Sequence, residues 1–365
     1  MVDMYKRSGV EIEKDKSSLI AEGLSSYYVQ KYPEKVNLTI SEVEDITSGW
    51  ETELHTFIIE FEEDGRQVRE EHVIRLYPGF NSAEKAAHEF RVINRLLEAG
   101  YPVPEVYQLD TDGIDLGKPF IIMERIKGRN MEDELREGSE ERLEQLMSMF
   151  MKLFVDLHNL DVSLVFPSRE DATTISYIDG ILKRCEDRTA RNGICWLDPL
   201  IRWLDERKVS VSLVKPSVIH RDFGPMNIML REDGSPVVID WGTATVGDHR
   251  GDLAWSILLA STFWDPSLRD TILRAYESIS GSEIRDYEYF EVLSGLRRIT
   301  DLAVSLTCGA EKMGMRPEAV ELMREAEGHI QGVYDTLIAR TGLRITEFEE
   351  ILDSLQVRKF DEGDK

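Results

Sequence analysis

The sequence predicts an α+β protein in which an N-terminal antiparallel sheet with one helix precedes a larger, mostly helical part. Three observations predict this class. The first third of the chain alternates short strand-like runs with turns, most of the remainder has apolar residues at helical spacing, and one β-rich island at 218–241 interrupts the helices. The character changes after Gly128, so we expect two domains, covering residues 1–125 and 126–365.

Five runs of strand-forming residues and one amphipathic run make up the predicted N-terminal domain. Glu63, Asp64 and Gly65 predict a hairpin turn between the second and third strands. A helix is expected over about 82–99, with Ser82 as its N-cap residue. The predicted strands cover residues 37–46, 53–61, 71–77, 105–110 and 118–124.

The predicted C-terminal domain is built from amphipathic helices on both sides of the β-rich island. Its first helix shows the pattern most clearly, because Leu146, Phe150, Leu153 and Leu157 recur at helical spacing. The predicted helices cover residues 141–160, 172–191, 196–207, 252–264, 268–279, 286–306 and 317–340.

The composition excludes several classes of protein. The 365 residues carry a formal net charge of -25, which disfavours nucleic acid and anionic membranes as partners and is typical of a highly charged soluble surface. The three cysteines form no C-x-x-C pair, so neither a disulfide framework nor a zinc site is expected. The N-terminus lacks the apolar core of a signal peptide, and no apolar run approaches the ~18 residues of a membrane span. We therefore expect a cytoplasmic protein with no obligate protein partner.

The β-rich island contains a motif that predicts phosphoryl transfer. His220, Arg221 and Asp222, with Asn227 five residues past the aspartate, fit the H-R-D-x-x-x-x-N catalytic loop of kinases. In such a loop the aspartate orients the attacking hydroxyl or accepts its proton, and the asparagine reaches a phosphate-bound Mg²⁺. This spacing therefore predicts Asp222 as the catalytic residue and Asn227 as a magnesium ligand.

A hairpin turned at Asp233 and Gly234 leads from this loop to a second acidic residue. Asp240, Trp241 and Gly242 form a D-x-G sequence at the end of the hairpin. A carboxylate suits this position because Mg²⁺ is a hard cation that prefers oxygen ligands. Asp240 is therefore the second predicted magnesium ligand.

With these motifs the sequence resembles the aminoglycoside phosphotransferase family, within the wider group that includes choline, homoserine and fructosamine kinases. The resemblance covers about residues 40 to 300, and its strongest segments read HRDFGPMNIML, VVIDWGTATVGDHRGDLAW, LFVDLHNLD and FIIMERIKG. It implies a protein-kinase-like fold of two lobes. It also implies that His220 supports the catalytic loop and that Asp252 braces the loop from the start of a helix, although a plain N-cap role for Asp252 stays open.

On the nucleotide side, the resemblance implies that the adenine base is read by the carbonyl group of Glu124 and the amide of Ile126, where an ordinary strand end is the alternative. The loop that would cover the phosphates is poorly marked: it offers one glycine, Gly49, whose neighbouring amides would contact a phosphate.

A strand cation paired with a helix glutamate is the usual grip on the α- and β-phosphates in kinases. Arg75 is the only cation in its predicted strand, HVIRLY, where protein kinases more often have lysine, and an arginine can still form forked bonds to phosphate. Glu89 lies at the edge of the apolar face of the following helix, whereas Glu84 points away. We therefore predict an Arg75–Glu89 pair, with exposed, solvated side chains as the alternative.

These residues predict a magnesium-dependent enzyme that transfers the γ-phosphoryl group of ATP or GTP to a hydroxyl of a small molecule. A protein kinase is the less favoured alternative, because no long activation loop or A-P-E sequence follows Asp240. A non-catalytic nucleotide-binding module is the other alternative, but such modules usually lose one of the two aspartates.

The sequence leaves the acceptor open between aminoglycoside-like compounds and other small molecules. One late helix mixes three acids, Asp286, Glu288 and Glu291, with aromatic residues, a composition that suits a positively charged acceptor. An amphipathic helix with a solvated face explains the same composition.

Overall fold

The computed structural model describes residues 3–46, 52–169, 172–313, 315 and 319–363. The chain divides into two compact units. The first comprises Met1–Gly128 and Met229–Gly242, and the second comprises Arg129–Ile228 and Thr243–Lys365. The sequence places a domain boundary at 125/126 and keeps 229–242 in the second domain, whereas in the structure this segment packs with the first unit.

The first unit contains a five-stranded antiparallel sheet with the strand order β1-β2-β3-β5-β4. All five predicted strands are present, with bounds that differ from the prediction by a few residues. The elements of this unit are α1 (Asp3–Lys31), β1 (Val36–Asp45), β2 (Glu53–Glu63), β3 (Arg66–Leu76), α2 (Ser82–Glu98), β4 (Val106–Asp110) and β5 (Phe120–Glu124).

Helix α1 has no counterpart in the prediction, and it explains why the sheet is buried on both faces. Its residues Leu24 and Tyr27 pack with Ile74 and Leu76 of β3 in one apolar cluster. The neighbouring residues of β3, including Val73, belong to a second cluster that includes Ala86 of α2. Alternate residues of β3 therefore serve two cores, as the alternation of side chains along a strand requires.

The turns of the first unit are set by residues that tolerate a left-handed backbone. Asp64 and Gly65 join β2 to β3 with φ angles of 52° and 74°, which is the hairpin geometry predicted from the sequence. The predicted N-cap, Ser82, is instead the first helical residue of α2. Asn81 occupies the cap position with a φ of 56° and makes no side-chain capping bond.

The second unit is mainly helical. The predicted helix at 317–340 is divided into two, the one expected from residue 252 begins three residues earlier, and α3, α5 and α13 were not predicted. The elements that follow β5 are β6 (Gly128–Asn130), α3 (Met131–Glu137), α4 (Glu140–Asn159), α5 (Val162–Val165), α6 (Thr174–Arg191), α7 (Asp198–Arg207), β7 (Ser217–Ile219), β8 (Ile228–Arg231), β9 (Pro236–Val238), β10 (Thr245–Gly247), α8 (His249–Phe263), α9 (Leu268–Ser280), α10 (Tyr287–Cys308), α11 (Ala319–Glu325), α12 (Glu327–Thr341) and α13 (Thr346–Gly363).

Helix α10 forms the centre of the second unit and packs against α6, α7, α8 and α12. Its close approach to α12 requires a residue without a side chain, since a Cβ atom at Gly295 would lie 2.6 Å from the side chain of Leu337. The short strands β7 and β10 of this unit pair antiparallel, whereas β8 pairs with β9 in the segment that belongs to the first unit. Within the described residues, no helix has both the length and the apolar character that crossing a bilayer would require.

The packing of α1 leads to a stability prediction. Leu24 is fully buried, whereas Leu19 on the same helix is 60% exposed. Leu24→Ala should lower the free energy of unfolding by about 2–5 kcal/mol, because it removes buried methyl groups and leaves a cavity. Leu19→Ala, the matched control, should change it by less than about 0.5 kcal/mol. Urea unfolding of both variants tests this, and equal effects would contradict the packing of α1 on the sheet.

Candidate active site

The predicted catalytic loop lies in the second unit, between β7 and a single 3₁₀ turn at Pro225–Asn227. The indole Nε1 of Trp255 donates a hydrogen bond of 3.0 Å to Oδ1 of Asp222. The side-chain amide of Asn227 donates to the backbone carbonyl of Asp222 at 2.8 Å and lies 3.5 Å from its Oδ2. The structure thus brings the predicted catalytic aspartate and its asparagine together and fixes the carboxylate from a third side chain.

Asp252 holds the backbone just before Asp222. Its two carboxylate oxygens accept hydrogen bonds from the amides of His220, at 2.8 Å, and of Arg221, at 2.6 Å. The carboxylate is fully buried, which raises its pKa, but the bonds from His158 and His220 outweigh burial and hold the pKa below its ordinary value. Arg221 has a φ of 72°, a conformation that is uncommon for a residue with a side chain and that these bonds stabilise.

The alternative N-cap role for Asp252 is wrong, because α8 begins one turn earlier. Asp248 is the N-cap residue, and its side chain accepts a hydrogen bond from the amide of Arg250. Asp252 is instead the fourth helical residue. Its placement beneath the catalytic loop is the one that the family resemblance implies, and its contribution to activity stays a prediction.

Sequence reasoning missed two residues beside Asp222. Trp255 lies three residues after Asp252 on the same helix, and its indole holds Asp222. The guanidinium group of Arg297, on α10, lies 3.6 Å from the centre of the Trp255 ring and donates to the backbone carbonyl of Arg221. The i, i+3 spacing from Asp252 is a signal for Trp255, whereas nothing local in the sequence relates Arg297 to the loop.

The first unit contains the residues predicted to bind the nucleotide phosphates. Arg75 forms two ion pairs, with Glu89 at 3.0 Å and with Asp240 at 2.7 Å. Burial disfavours the charged guanidinium group, but the two carboxylates outweigh it and raise the pKa of Arg75 above its ordinary value. The pair that the sequence pattern indicates is therefore formed, and Asp240 joins it.

Glu89 connects α2 to the D-x-G segment. The hydroxyl of Tyr77 donates to Glu89 at 2.7 Å, and the backbone amide of Trp241 also donates to it. Glu89 is 1% exposed, and burial raises its pKa in spite of these partners and of Arg75. A Cβ atom at Gly242 would lie 3.2 Å from its carboxylate, so the glycine of the D-x-G segment lets the chain pass close to Glu89.

Asp240 follows β9 in an unusual backbone conformation. Its φ is 67°, and strained residues of this kind are common at functional sites. Its side chain is 43% exposed, so a ligand can reach the carboxylate. The next residue, Trp241, is fully buried, packs edge-on against Tyr101 and donates its indole N–H to the carbonyl of Val238. Trp241 is thus the packing anchor that the sequence predicts.

The remaining predicted nucleotide contacts are those of Glu124, Ile126 and Gly49. Glu124 ends β5, and its side chain is bound by Arg231 and by the amide of Glu105. Ile126 lies in the irregular segment that follows, and the reading of a base by these two backbones stays a prediction. Gly49 lies outside the described residues.

Two of the three acidic residues near the start of α10 are engaged within the protein, whereas the third, Glu288, is exposed. Asp286 accepts a hydrogen bond from the amide of Ser212 and pairs with Arg250. Glu291 is 3% exposed and pairs with Arg269 and Arg340. The aromatic residues of this segment are also buried, so their rings serve the core of the unit rather than a ligand. The alternative of an amphipathic helix with a solvated face does not fit either, because within 287–296 every residue except Glu288 is buried.

The predicted magnesium ligands offer suitable atoms. The amide nitrogen of Asn227 is engaged with Asp222, so its carbonyl oxygen is the atom that can bind a cation. Asp240 supplies a carboxylate, and both are the hard oxygen donors that Mg²⁺ prefers. The described residues contain no group of three or more His, Cys, Asp or Glu side chains that could hold a metal ion.

The sequence profile of the phosphotransferase enzyme family APH matches residues 42–291, which is more than half of the chain. The chain belongs to this family. The matched region includes the Arg75 network, the catalytic loop and Asp252. The aminoglycoside phosphotransferase-like group indicated by the sequence motifs is thereby confirmed.

Solved structures similar to this chain are kinases of the same fold. An ethanolamine kinase from Plasmodium vivax superposes with a TM-score of 0.57 at 14% identity, covering 84% of this chain and 87% of that one. A thermostable variant of aminoglycoside phosphotransferase APH(4)-Ia, in complex with ADP and hygromycin B, gives 0.54 at 18% identity, covering 87% and 99%. APH(2")-IIIa, in complex with GDP and kanamycin, gives 0.54 at 17%, covering 83% and 98%. At these identities the likeness shows the fold, and the predicted protein-kinase-like fold is confirmed.

Curated relatives are longer proteins that match over part of their length. Acyl-CoA dehydrogenase family member 10 of Mus musculus is 28% identical over 204 residues, covering 52% of this chain but 18% of the mouse protein. Acyl-CoA dehydrogenase family member 11 of Gallus gallus is 27% identical over 205 residues, covering 52% of this chain and 25% of that protein. The chain thus spans a quarter or less of these relatives.

The buried carboxylate of Asp252 leads to a prediction about pH. Because its folded-state pKa lies below the ordinary value of 3.8, its bonds contribute stability above that pH and lose it as the pH falls through the folded-state pKa. Asp252→Asn leaves one acceptor oxygen for two amides and should cost about 2–4 kcal/mol at pH 7. The difference from the unchanged chain should narrow as the pH falls below about 4 in urea unfolding. A difference that is independent of pH would contradict the proposed ionised state.

Proposed function

We propose that this chain transfers the γ-phosphoryl group of ATP or GTP to a hydroxyl group of a small molecule. The observation that carries the proposal is the fixed catalytic loop of the second unit. There the carboxylate of Asp222 is oriented by Trp255 and Asn227 while Asp252 holds the adjacent backbone. Membership of a phosphotransferase family supports the same reaction. The presence of Asp222 and Asp240 argues against a non-catalytic nucleotide-binding module.

The short connection after the D-x-G segment favours a small acceptor over a protein. Only residues 243–248 lie between Gly242 and the start of α8, and three of them form β10. A protein kinase places a long activation loop and an A-P-E sequence in this part of the chain to hold a peptide. Without that segment, the chain offers no comparable platform for a polypeptide substrate. The complexes of similar structures with hygromycin B and kanamycin agree with a small acceptor.

Arg75 and Asp240 are the residues that we assign to the nucleotide. Arg75 is held by Glu89, which positions its guanidinium group for the phosphates. A magnesium ion bound by Asp240 and Asn227 would neutralise charge on the phosphates. The similar structures contain ADP in one case and GDP in another, so both triphosphates are suitable donors to test.

Asp222 is assigned to the acceptor. In the proposed reaction the acceptor oxygen forms a bond to the γ-phosphorus while the bond from that phosphorus to the β,γ-bridging oxygen breaks. The nucleoside diphosphate leaves with the electron pair, and Asp222 accepts the hydroxyl proton. The hydrogen bond from Trp255 turns the carboxylate to a fixed orientation, so most of the rate enhancement should come from positioning and electrostatics.

Replacement of Asp222 tests the catalytic assignment. Asp222→Asn should lower kcat by at least ~10², because an amide cannot accept the proton in the transition state. Nucleotide binding should stay nearly unchanged, as measured by ADP titration calorimetry. Asp335→Asn, an exposed position on α12, is the matched control. Near-normal turnover of the Asp222 variant would remove this residue from the mechanism.

Replacement of Asp240 tests the magnesium assignment. Asp240→Asn should abolish the magnesium-dependent part of nucleotide binding, since an amide is a much poorer Mg²⁺ ligand than a carboxylate. The measurement is the thermal shift with nucleotide, with and without Mg²⁺. Asp233→Asn, in the turn of the same hairpin, should retain the full shift. An unchanged shift in the Asp240 variant would refute the assignment.

A further inference from the structure

The second unit contains a cavity of about 600 Å³ whose charged lining is mainly basic. This is unexpected in a chain with a net charge of -25. The lining consists of Arg184, Asp187, Arg188, Arg191, Asn192, Lys312 and Met313. Four of these side chains are cations and one is an acid. An anion would therefore meet a favourable local field there although the surface as a whole repels it.

Helix α6 supplies most of this lining from one face. Arg184, Arg188 and Arg191 are separated by four and three residues, which places them on neighbouring turns of the same helix side. The single acid of the lining, Asp187, is neutralised by Lys183, which lies 2.7 Å from it. The basic face is thus not cancelled by the acid within it.

Two further arginines extend the basic region toward the catalytic loop. Arg221 is half-buried, and burial lowers its pKa to about 10, with added contributions from the charges of Arg297 and Arg184. Within the described residues, neither Arg184 nor Arg221 forms an ion pair with a carboxylate, whereas Arg188 pairs with Asp301. We call Arg184, Arg188, Arg221 and Arg297 the cationic cluster. Like charges held together with so few acids are unfavourable until an anion joins them.

The cationic cluster reaches the catalytic aspartate through direct contacts. Arg297 donates a hydrogen bond of 3.0 Å to the carbonyl of Arg221, the residue that precedes Asp222. The same guanidinium group lies over Trp255, whose indole binds the Asp222 carboxylate. Arg221 and Arg297 do not line the cavity, but they lie next to the loop that carries Asp222. An anion held by these two arginines would therefore lie beside that loop.

We propose that the cationic cluster binds a phosphate or carboxylate group of the acceptor, so that the substrate of this enzyme is an anionic alcohol. This inference rests on the proposed function, in which Asp222 accepts the proton of the acceptor's hydroxyl group. It differs from the expectation of a positively charged acceptor, since two of the three acids behind that expectation, Asp286 and Glu291, are engaged within the protein. The cluster supplies the anchoring charge, and the transfer step itself is unchanged.

Binding of inorganic pyrophosphate to the full chain tests the anion site directly. The chain is first saturated with ADP and Mg²⁺, so that the probe does not occupy the nucleotide site, and binding is followed by calorimetry. Arg184→Gln should raise the Kd about tenfold, since a charged hydrogen bond is lost. Arg184→Lys, which retains the charge, should stay within about threefold of the unchanged chain. Arg184 is exposed and forms no ion pair, so these variants should fold normally.

The control is Lys152→Gln, which removes the same charge from an exposed position on α4 that does not line the cavity. This variant should bind pyrophosphate with an unchanged Kd. Absence of saturable binding to the unchanged chain at millimolar pyrophosphate would overturn the proposal. Equal affinities of the unchanged chain and of Arg184→Gln would overturn it as well.

A matched series of three-carbon alcohols then identifies the anionic group. ADP release is compared for glycerol 3-phosphate, glycerate, glycerol and 3-amino-1,2-propanediol, with the phosphorylated product verified by mass spectrometry. The two anions should show at least ~10-fold higher kcat/KM than the neutral alcohol and the amine, and Arg184→Gln should remove that preference. Comparison of kcat/KM for glycerol 3-phosphate and for glycerate shows whether a phosphate or a carboxylate group is preferred.

Failure of this inference and failure of the proposed function give different results. Efficient phosphorylation of the amine or the neutral alcohol, unaffected by Arg184→Gln, would overturn the anionic acceptor and leave the phosphotransferase function intact. Pyrophosphate binding that depends on Arg184, without phosphorylated product from these alcohols or from a wider acceptor panel, would support the anion site and count against the proposed function.

Discussion

The buried carboxylate of Asp252 organises the chemistry of the second unit. A charge that is withdrawn from water must be paired or hydrogen-bonded, and Asp252 is satisfied by two consecutive backbone amides and by His158. Because those amides belong to His220 and Arg221, the same bonds fix the path of the chain immediately before Asp222. The left-handed conformation of Arg221 is the local cost of this arrangement. The position of Asp222, the proposed catalytic residue, thus follows from the hydrogen bonds that another buried acid accepts.

A second buried acid has a corresponding role in the first unit. Glu89 receives hydrogen bonds from Tyr77 and from the amide of Trp241, and it pairs with Arg75. Arg75 also pairs with Asp240, so the Glu89 carboxylate on α2 is connected to the D-x-G segment through Arg75 of β3. Each unit therefore holds its functional side chains through a buried carboxylate that is not itself exposed to ligand. Such networks hold their side chains in place, because a buried polar group that lost its partner in a region of low dielectric constant would cost free energy.

Local charge and total charge carry different information in this protein. The excess of acids over bases describes the surface as a whole, and two of the acids that suggested a cationic ligand, Asp286 and Glu291, are paired with arginines of the same unit. The arginines of the cationic cluster come from three separate segments of the chain, and packing brings Arg297 into contact with the catalytic loop at Arg221. A field of one sign can therefore be maintained at a site while the chain carries a large charge of the other sign.

The amino-acid pattern alone predicts the class of the fold, the order of most elements and the residues of the two kinase-like motifs. These features are local: turn residues such as Asp64 and Gly65, helical periodicity, and a loop whose aspartate and asparagine are five residues apart. Arg75 and Glu89 were also accessible, since strand alternation and helix periodicity indicate which face each side chain occupies. Helix α1 was missed because its apolar stripe is interrupted by many charged residues, and its burial depends on the sheet.

The side chains that support those motifs are visible only in the folded chain. Trp255 and Arg297 reach the catalytic loop from two helices, and Asp252 contacts a backbone about thirty residues away from it in sequence. The start of α8 at His249, rather than at Asp252, depended on a buried network around Asp248 and Arg250 that no local pattern specifies. The physical reason is the same in each case. Hydrogen bonds and charge pairs between distant segments depend on which apolar faces pack against each other. The periodicity of a single sequence shows which face of each element is apolar, but it does not show which other element covers that face.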